Sequence, residues 1–328
     1  MFAANVGRLR ESYPLLQYYG SSLVAVPKAE PTEPLIWCRW GIDSDKEIGC
    51  VTLNSAIDTG HFVDLNAAGV DVGPALSTLR DENEKHILKR YPVPEAGIGE
   101  GYLADKDGNL EFAIRMDNAG YSRLFRLEEG EWVRCPLDIE KYEVVSCGEE
   151  PGQLLVLAPG TEHKPWALQL ADATTGNLGE VLFQDEAYDF YSEGIYHGSI
   201  YRDPVSRRIV GIAFDRRAPE VFWFTEVHQK LQKALDSLFP GLVVRIASMN
   251  DAQNRFIVEV FSDRQPTSYY WVDLGQRSRG LIKNTRPWID PARMLPRNVM
   301  KFKTRDGHQL DAYLTLPAGV SKKNPAPM

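Results

Sequence analysis

WALQLADATTGNLGEVLF, residues 166–183, reads as a strand-like run that ends in an acidic, glycine-bearing turn, with a second run after it. The same unit recurs as HFVDLN from His61, RLFRLEEG from Arg123, VFWFTEV from Val221 and YYWVDLG from Tyr269. The spacing is irregular and averages about 50 residues, within the range of repeat architectures. Each recurrence has a strand-like run before it and usually one after it. Around them lie EFAIRMD (111–117), SRLFRLEEGEWVRC (122–135), KYEVVSC (141–147), QLLVLAPG (153–160), RRIVGIAFD (207–215) and RFIVEVFSD (255–263). These runs are rich in aromatic and β-branched residues, and Gly, Asp, Asn and Pro separate them. Four antiparallel strands per unit at this period are the pattern of a β-propeller. One four-stranded sheet cannot cover both of its apolar faces, and radial packing of blades does so while leaving short edges. The expected fold is therefore all-β, a propeller of four-stranded blades, about five to seven of them. The first forty residues hold part of a further unit in this reading. A β-sandwich, or a pair of them, is the alternative.

Composition narrows the classes. The chain has 328 residues and a formal net charge of −8, enough length for one large domain or two smaller ones. An acidic balance argues against nucleic acid as the main partner, because phosphate binding needs clustered Lys and Arg. Arg207-Arg208 and Arg216-Arg217 flank strand-like runs and read as solvated turns. Cys38, Cys50, Cys135 and Cys147 are widely spaced, without a C-x-x-C, so reduced and mostly buried thiols are expected. The N-terminus lacks a basic region followed by an apolar one, and no apolar run reaches membrane-spanning length. A cytoplasmic protein without a membrane partner is the default, periplasmic or secreted if a leader was trimmed.

Three segments leave the strand pattern. HQKLQKALDSL (228–238) places Val227, Leu231, Ala234, Leu235 and Leu238 at helical spacing, and Pro240-Gly241 stops it. It reads as packing filler within a blade. DENEK (81–85) reads as a solvated loop or short helix, and GIGEG (97–101) as a loop. RPWIDPARMLP (286–296), with its three prolines, is a stiff connector. A hairpin follows: Met300, Phe302 and Thr304 alternate with Lys301, Lys303 and Arg305, and Asp306-Gly307 supplies the positive φ of a tight turn. On the return run Leu310, Ala312, Leu314 and Leu316 share one face, and Gln309, Asp311, Tyr313 and Thr315 the other. The apolar face needs a partner layer. The expected division is a propeller over 1–290, and a linker with this hairpin over 291–328.

The segment VMKFKTRDGHQLDAYLTLPAGVSKKNPAPM (299–328) resembles the start of the catalytic domain in prolyl oligopeptidase family serine peptidases, in particular the acylaminoacyl-peptidase-like branch. The residues that carry the likeness are Arg305-Asp306-Gly307, then Tyr313-Leu314-Thr315-Leu316-Pro317, then Lys322, Lys323, Pro325 and Pro327. Ala312 stands where the family usually has glycine. DPVSRRIVGIAF (203–214), LQKALDSLFPG (231–241) and ASMNDAQNRFIVEVFSDRQPTSYYWVDL (247–274) are similar to the last propeller blades of such enzymes. The resemblance implies a propeller that caps an α/β-hydrolase domain bearing Ser, Asp and His, and that admits short peptides only. The serine of that fold lies in G-x-S-x-G, which this sequence lacks; YGSSLV (19–24) and GQRSRG (275–280) have the wrong spacing. No catalytic residue is expected in the 328 residues. They read as a fragment, or a separately made propeller, inactive alone and partnered by an absent hydrolase domain.

Other chemistry is sparse. His61, His86, His163, His197, His228 and His308 form no H-E-x-x-H or paired metal spacing. His308, after the Asp-Gly turn, should be exposed. DKDGNLE (105–111) starts like a calcium loop, lacks the later ligands, and reads as a hairpin turn. No metal or other cofactor is expected. DEAYDFYSEGIYHG (185–198) is dense in Tyr and carboxylates. Within it Glu186, Asp189, Tyr191 and Glu193 are the candidate substrate contacts, since a partly desolvated carboxylate pairs well with the free amine of a peptide; a polar connection between blades is the bland alternative. Short peptides are thus the expected small partners, and homo-oligomerisation stays open. The rival functions are a free-standing propeller scaffold that binds proteins at its rim, and a glycosidase- or lactonase-type propeller with convergent carboxylates or metal ligands at its channel.

Overall fold

The strand-like runs pair in the order in which the chain presents them. The computed structural model describes residues 2–5, 8–14, 20–39, 47–55, 81, 83–95, 97–160, 164–189, 191–192, 195–196, 199–320 and 324–325. The fold is a β-propeller of five antiparallel blades with three or four strands each. Contacts divide the chain into two units, Met1–Asp189 and Phe190–Met328.

In the first unit a hairpin, Phe2–Asn5 with Arg8–Pro14, precedes three blades. Blade one is Gly20–Ala25, Leu35–Arg39, Glu47–Leu53 and Ile87–Arg90. Blade two is Ile98–Ala104, Leu110–Met116, Ser122–Glu128 and Glu131–Arg134. Blade three is Glu143–Cys147, Gln153–Ala158, Ala167–Asp172 and Leu178–Gln184. Neighbours in sequence are neighbours in each sheet. Apolar clusters join the blades in pairs. Leu35 and Cys50 of blade one pack with Tyr102, Leu110 and Ala113 of blade two. Phe112 and Leu124 of blade two pack with Leu154, Val156 and Ala171 of blade three.

The acidic turns have a structural task. Asp172, at the end of a blade-three strand, accepts hydrogen bonds from the Thr174 amide (2.8 Å) and hydroxyl (2.6 Å). These bonds favour the carboxylate and pull its pKa down to about 2. DKDGNLE is a hairpin turn, closed by Asp105 accepting from the amides of Asp107 and Asn109. Gly108 in that turn has φ +92°, and a Cβ there would lie 2.6 Å from Pro27 Cα. Glycine is needed both for the backbone conformation and for the approach of the chain before blade one's second strand.

Some expectations change. GIGEG is not a loop: Ile98–Ala104 is an edge strand of blade two, with a bulge between Gly99 and Gly101. The extended backbone is held there by pairing with Leu110–Met116, and Arg115 donates to the Gly97 carbonyl at 2.6 Å. DENEK takes the second of its two readings, a short helix over 83–86, with Asp81, Glu84 and Lys85 exposed; what the sequence does not announce is that Asn83 and the following His86 are buried. The HFVDLN recurrence lies outside the described residues, as do His61, His163 and His197. All four cysteines are buried thiols outside any disulfide. Burial pushes the thiols of Cys38 and Cys135 up to about 12 and about 11.

In the second unit, Tyr191–Ser192 pairs with Ile195–Tyr196. Blade four has three strands, Ser199–Arg202, Ile209–Asp215 and Pro219–Trp223. Blade five is Val243–Met249, Arg255–Phe261, Ser268–Asp273 and Ser278–Asn284. Between them helix α1, Glu226–Leu238, starts at Thr225, whose side chain accepts from the His228 amide. It fills space as expected, with Leu235 fully buried among residues of blades four and five. Its covered stripe holds at Leu231, Leu235 and Leu238 and departs at Ala234 and at the first position. His228 is buried and Val227 is 70% exposed, because the imidazole stacks on Trp223 (centroids 5.3 Å apart) and its Nδ1 lies 2.7 Å from Thr225 Oγ1. Trp223 in turn stacks on Tyr201.

One cross-blade contact in the first unit makes a pH-dependent prediction. Glu111 of blade two is buried and accepts from the Gly152 amide of blade three at 2.5 Å, with Arg126 Nε 3.5 Å away. Burial raises its pKa above the usual 4.5, against the pull of Gly152 and Arg126. A raised folded-state pKa adds stability below 4.5 that is lost as pH rises through the raised value. Glu111→Gln keeps an acceptor for Gly152 and removes the charge. Thermal melts of the variant should depend less on pH above 4.5, with a neutral-pH Tm equal to or above that of the parent. A drop of more than about 4 °C, near 1 kcal/mol or more in a chain of this size, would mean that the Arg126 pairing outweighs desolvation.

Candidate functional site

The C-terminal hairpin is a two-stranded sheet on its own, Asn298–Lys303 with Gln309–Leu314. Its turn has the chemistry the sequence announced. Gly307 takes φ +95°, its amide donates to the Thr304 carbonyl, and the Thr304 amide donates to His308 O at 2.8 Å. The Thr304 hydroxyl donates to Asp306 and holds that carboxyl below its ordinary pKa. His308 is exposed.

The register separates the two faces. Met300 lies opposite Ala312, and Phe302 opposite Leu310, on the apolar face; Val299 lies opposite Tyr313, and Lys301 opposite Asp311, on the other. The second face leans on the turn between the last two strands of blade four. Arg217 Nε is 3.0 Å from Asp311 Oδ2. The Tyr313 hydroxyl is 3.3 Å from the carbonyls of both Arg216 and Arg217 and donates there. The Arg297 guanidinium lies 4.3 Å from the Tyr313 ring centroid, and the Arg297 amide donates to Asp263 of blade five at 2.7 Å. Arg216-Arg217 is thus more than a solvated turn, since half-exposed Arg217 carries a specific partner. The apolar face is about as exposed as the polar one, Met300 at 45% and Phe302 and Leu310 at 46% against 49% for Tyr313, but it offers solvent apolar side chains and, among the described residues, no polar anchor.

The Tyr- and carboxylate-rich stretch is arranged for local structure. Asp185 is buried and accepts from the amides of Ala187 and Tyr188, both at 2.9 Å. Asp189 Oδ1 accepts from the Trp166 amide at 2.8 Å, tying the stretch to the entry of blade three's third strand. Glu186 is exposed. Tyr191 pairs through its backbone with Tyr196. Glu193 lies outside the described residues.

Two grooves in the first unit went unread in the sequence. One, of about 840 Å³, is lined by Arg126 of blade two with Glu150, Gly152, Asp172, Thr174 and Glu180 of blade three. The other, of about 730 Å³, runs between Pro92–Glu95 and the blade-two residues Asp117, Arg123, Trp132 and Arg134. The Trp132 indole donates to the Pro92 carbonyl at 2.7 Å, and Arg123 pairs with Asp117 at 2.9 Å. These groups come from different strands and blades, so no sequence spacing announced them. Among the described residues no cluster of three or more His, Cys, Asp or Glu is placed to hold a metal ion. No helix among them is long and apolar enough to cross a membrane.

No protein-family model matches the chain, and no curated protein matches it in sequence. Solved structures do. A prolyl endopeptidase matches with a TM-score of 0.47 and 10% identity, over 95% of this chain and 41% of its own. A puromycin hydrolase matches with a TM-score of 0.44 and 12% identity, over 94% of this chain and 45% of its own. Oligopeptidase B from Trypanosoma brucei, with covalently bound antipain, matches with a TM-score of 0.40 and 14% identity, over 93% and 40%. The chain spans less than half the length of each of these structures.

The contacts of the polar face are testable. A half-exposed ion pair contributes about 0.2–1 kcal/mol. Arg217→Asp should therefore speed amide hydrogen exchange across 309–314 by up to about fivefold, the equivalent of that energy. The double variant Arg217→Asp with Asp311→Arg should restore most of the protection. Unchanged exchange in the single variant would remove the pair as an anchor.

Proposed function

We propose that this chain is the propeller portion of a serine peptidase of the prolyl oligopeptidase kind, with the hairpin serving as the first ribbon of an adjoining α/β-hydrolase layer. The observation that carries the reading is the hairpin itself. The segment whose R-D-G turn and Y-L-T-L-P run resemble the opening of that catalytic domain is anchored on its polar face and uncovered on its apolar one. Covering the exposed half of Met300, Phe302, Leu310 and Leu314 is worth roughly 1 kcal/mol per side chain, half the value of full burial.

In this reading the blades restrict entry to the reacting serine, so short peptides reach it and folded proteins do not. The serine, aspartate and histidine come from the hydrolase layer, and peptide or acyl-amide bonds are cleaved through an acyl-enzyme. The 328 residues alone are inactive. Glu186, Asp189, Tyr191 and Glu193 remain our candidates for holding a peptide's free amine. Asp189 keeps one carboxylate oxygen beyond its bond to Trp166 for that task. A free-standing scaffold that binds proteins at its rim is the rival.

A fluorophosphonate probe with an antibody raised against this chain separates the two. In the source cell the antibody should detect a polypeptide about twice the 37.0 kDa of these residues, or a tight complex of that size, that labels with the probe; the purified chain should not label. A native protein of 37.0 kDa with no probe-reactive partner would sink the peptidase reading.

A further inference from the structure

One stretch differs sharply from the rest of the chain in charge. From Arg277 to Arg305 stand nine Lys and Arg and one acid, Asp290, a net of +8 in a chain of net −8. The other residues hold the remaining 28 basic and 44 acidic side chains, a net of −16. The basic stretch is also where apolar side chains face solvent. Leu281 and Ile282 are exposed on the outer strand of blade five, Trp288 in the connector is 77% exposed, and Met294, Leu295 and the hairpin's apolar face follow. The acid opposite Lys301 in the hairpin, Asp311, is taken by Arg217.

We propose that this basic, apolar ribbon, 277–316, is a docking surface for a protein layer of opposite charge. The occupant has an apolar centre that seats on Met300, Phe302, Leu310 and Leu314, and Asp and Glu around it. The inference rests on the hairpin being a domain junction and adds the chemistry of what joins there. Charge decides between occupants. A symmetric pair of copies meeting through this ribbon, which is net +6 once Asp306 and Asp311 are included, would set like charge against like and be repelled. Lys301 and Lys303 likewise discourage the open strand Asn298–Lys303 from pairing with its own copy. An acidic protein surface gains from the same charges. The clamp through Asp311 and Tyr313 leaves the apolar face pointing away from blade four, free to receive it.

Two eight-residue peptides, one alternating Val with Glu and one alternating Val with Lys, serve as probes of the full chain by NMR titration. The Glu peptide should bind about tenfold tighter in 50 mM salt, and raising salt to about 0.5 M should shrink the gap several-fold, as screening requires. Phe302→Asp should abolish binding of the Glu peptide. The double variant Lys301→Glu and Lys303→Glu should reverse the preference. All these side chains are exposed, so the melting temperature, read alongside, should hold and exclude misfolding. Equal affinity for the two peptides, or no binding of either, overturns the proposal. So does a salt-insensitive dimer in sedimentation that Phe302→Asp dissolves, which would make a second copy the occupant. Binding to phosphatidylcholine vesicles containing phosphatidylglycerol that Phe302→Asp abolishes, with no preference between the peptides, would assign the ribbon to a lipid surface instead. Absence of a probe-reactive serine partner would sink the peptidase reading and leave the charge preference standing, so the two failures are distinguishable.

Discussion

A blade of this protein is apolar on both faces, and no blade can cover itself. The second strands make the constraint plain. Gln153–Ala158 is buried at five of six positions, and Ile209–Asp215 at five of seven. Such strands read as continuous apolar runs, as strands covered on both faces do. The outer strands are different: Leu178–Gln184 buries one residue of seven and Ser278–Asn284 none. Each sheet therefore passes from a covered middle to a wet edge, and neighbouring blades must supply the cover. Val210, Ala213 and Trp223 of blade four share one cluster with Val244, Phe256 and Val258 of blade five. Where blade four has three strands among the described residues, α1 takes part in the same packing through Leu235, with Phe239 just after it.

The turns make that arrangement regular. Asp172 and Asp273 stand at the ends of third strands, in blades three and five, and each accepts from amides of the following turn. Asp203 does the same between the first two strands of blade four, accepting from Val205 and Ser206, and it also takes a bond from Gln253 of blade five. A short carboxylate that satisfies two or three turn amides replaces bonds the ladder cannot supply. The recurring acidic turn in the sequence is thus a device of the fold. The depressed pKa values of these groups follow from the same hydrogen bonds.

This division explains what was legible in the sequence. Central strands and acidic turns are local, so QLLVLAPG, RRIVGIAFD, RFIVEVFSD and the hairpin with its Asp-Gly turn could be read directly. Ile98–Ala104 could not, because GIGEG has the composition of a loop and is extended only through pairing across its bulge. The stripe on α1 was legible at Leu231, Leu235 and Leu238 and missed at its start, where His228 and not Val227 is covered, because the aromatic column of Tyr201, Trp223 and His228 decides it and a buried histidine has no hydropathy signature. Glu111, Arg126 and Gly152 meet from two blades, and Arg217 meets Asp311 across 94 residues, separations at which no pattern operates. The stretch with Glu186, Asp189 and Tyr191 was legible as unusual, yet its composition could not say that Asp185 and Asp189 each hold backbone amides.

The hairpin at the C-terminal end inverts the logic of the blades. A two-stranded ribbon alone is marginal in water, and the apolar side of this one is left about half exposed. What orders it is polar: an ion pair, a tyrosine hydroxyl on two carbonyls, and a guanidinium over a ring. Each such contact, half exposed, contributes on the order of 1 kcal/mol or less. Together they suffice to aim the ribbon and fall short of rigidly holding it. An element oriented by weak polar contacts and left with its apolar side uncovered gains most of its stability only when something covers that side. The energetics of the ribbon are thus unfinished in a way those of the five blades are not, and that difference, more than any single residue, argues that the ribbon is a place of joining.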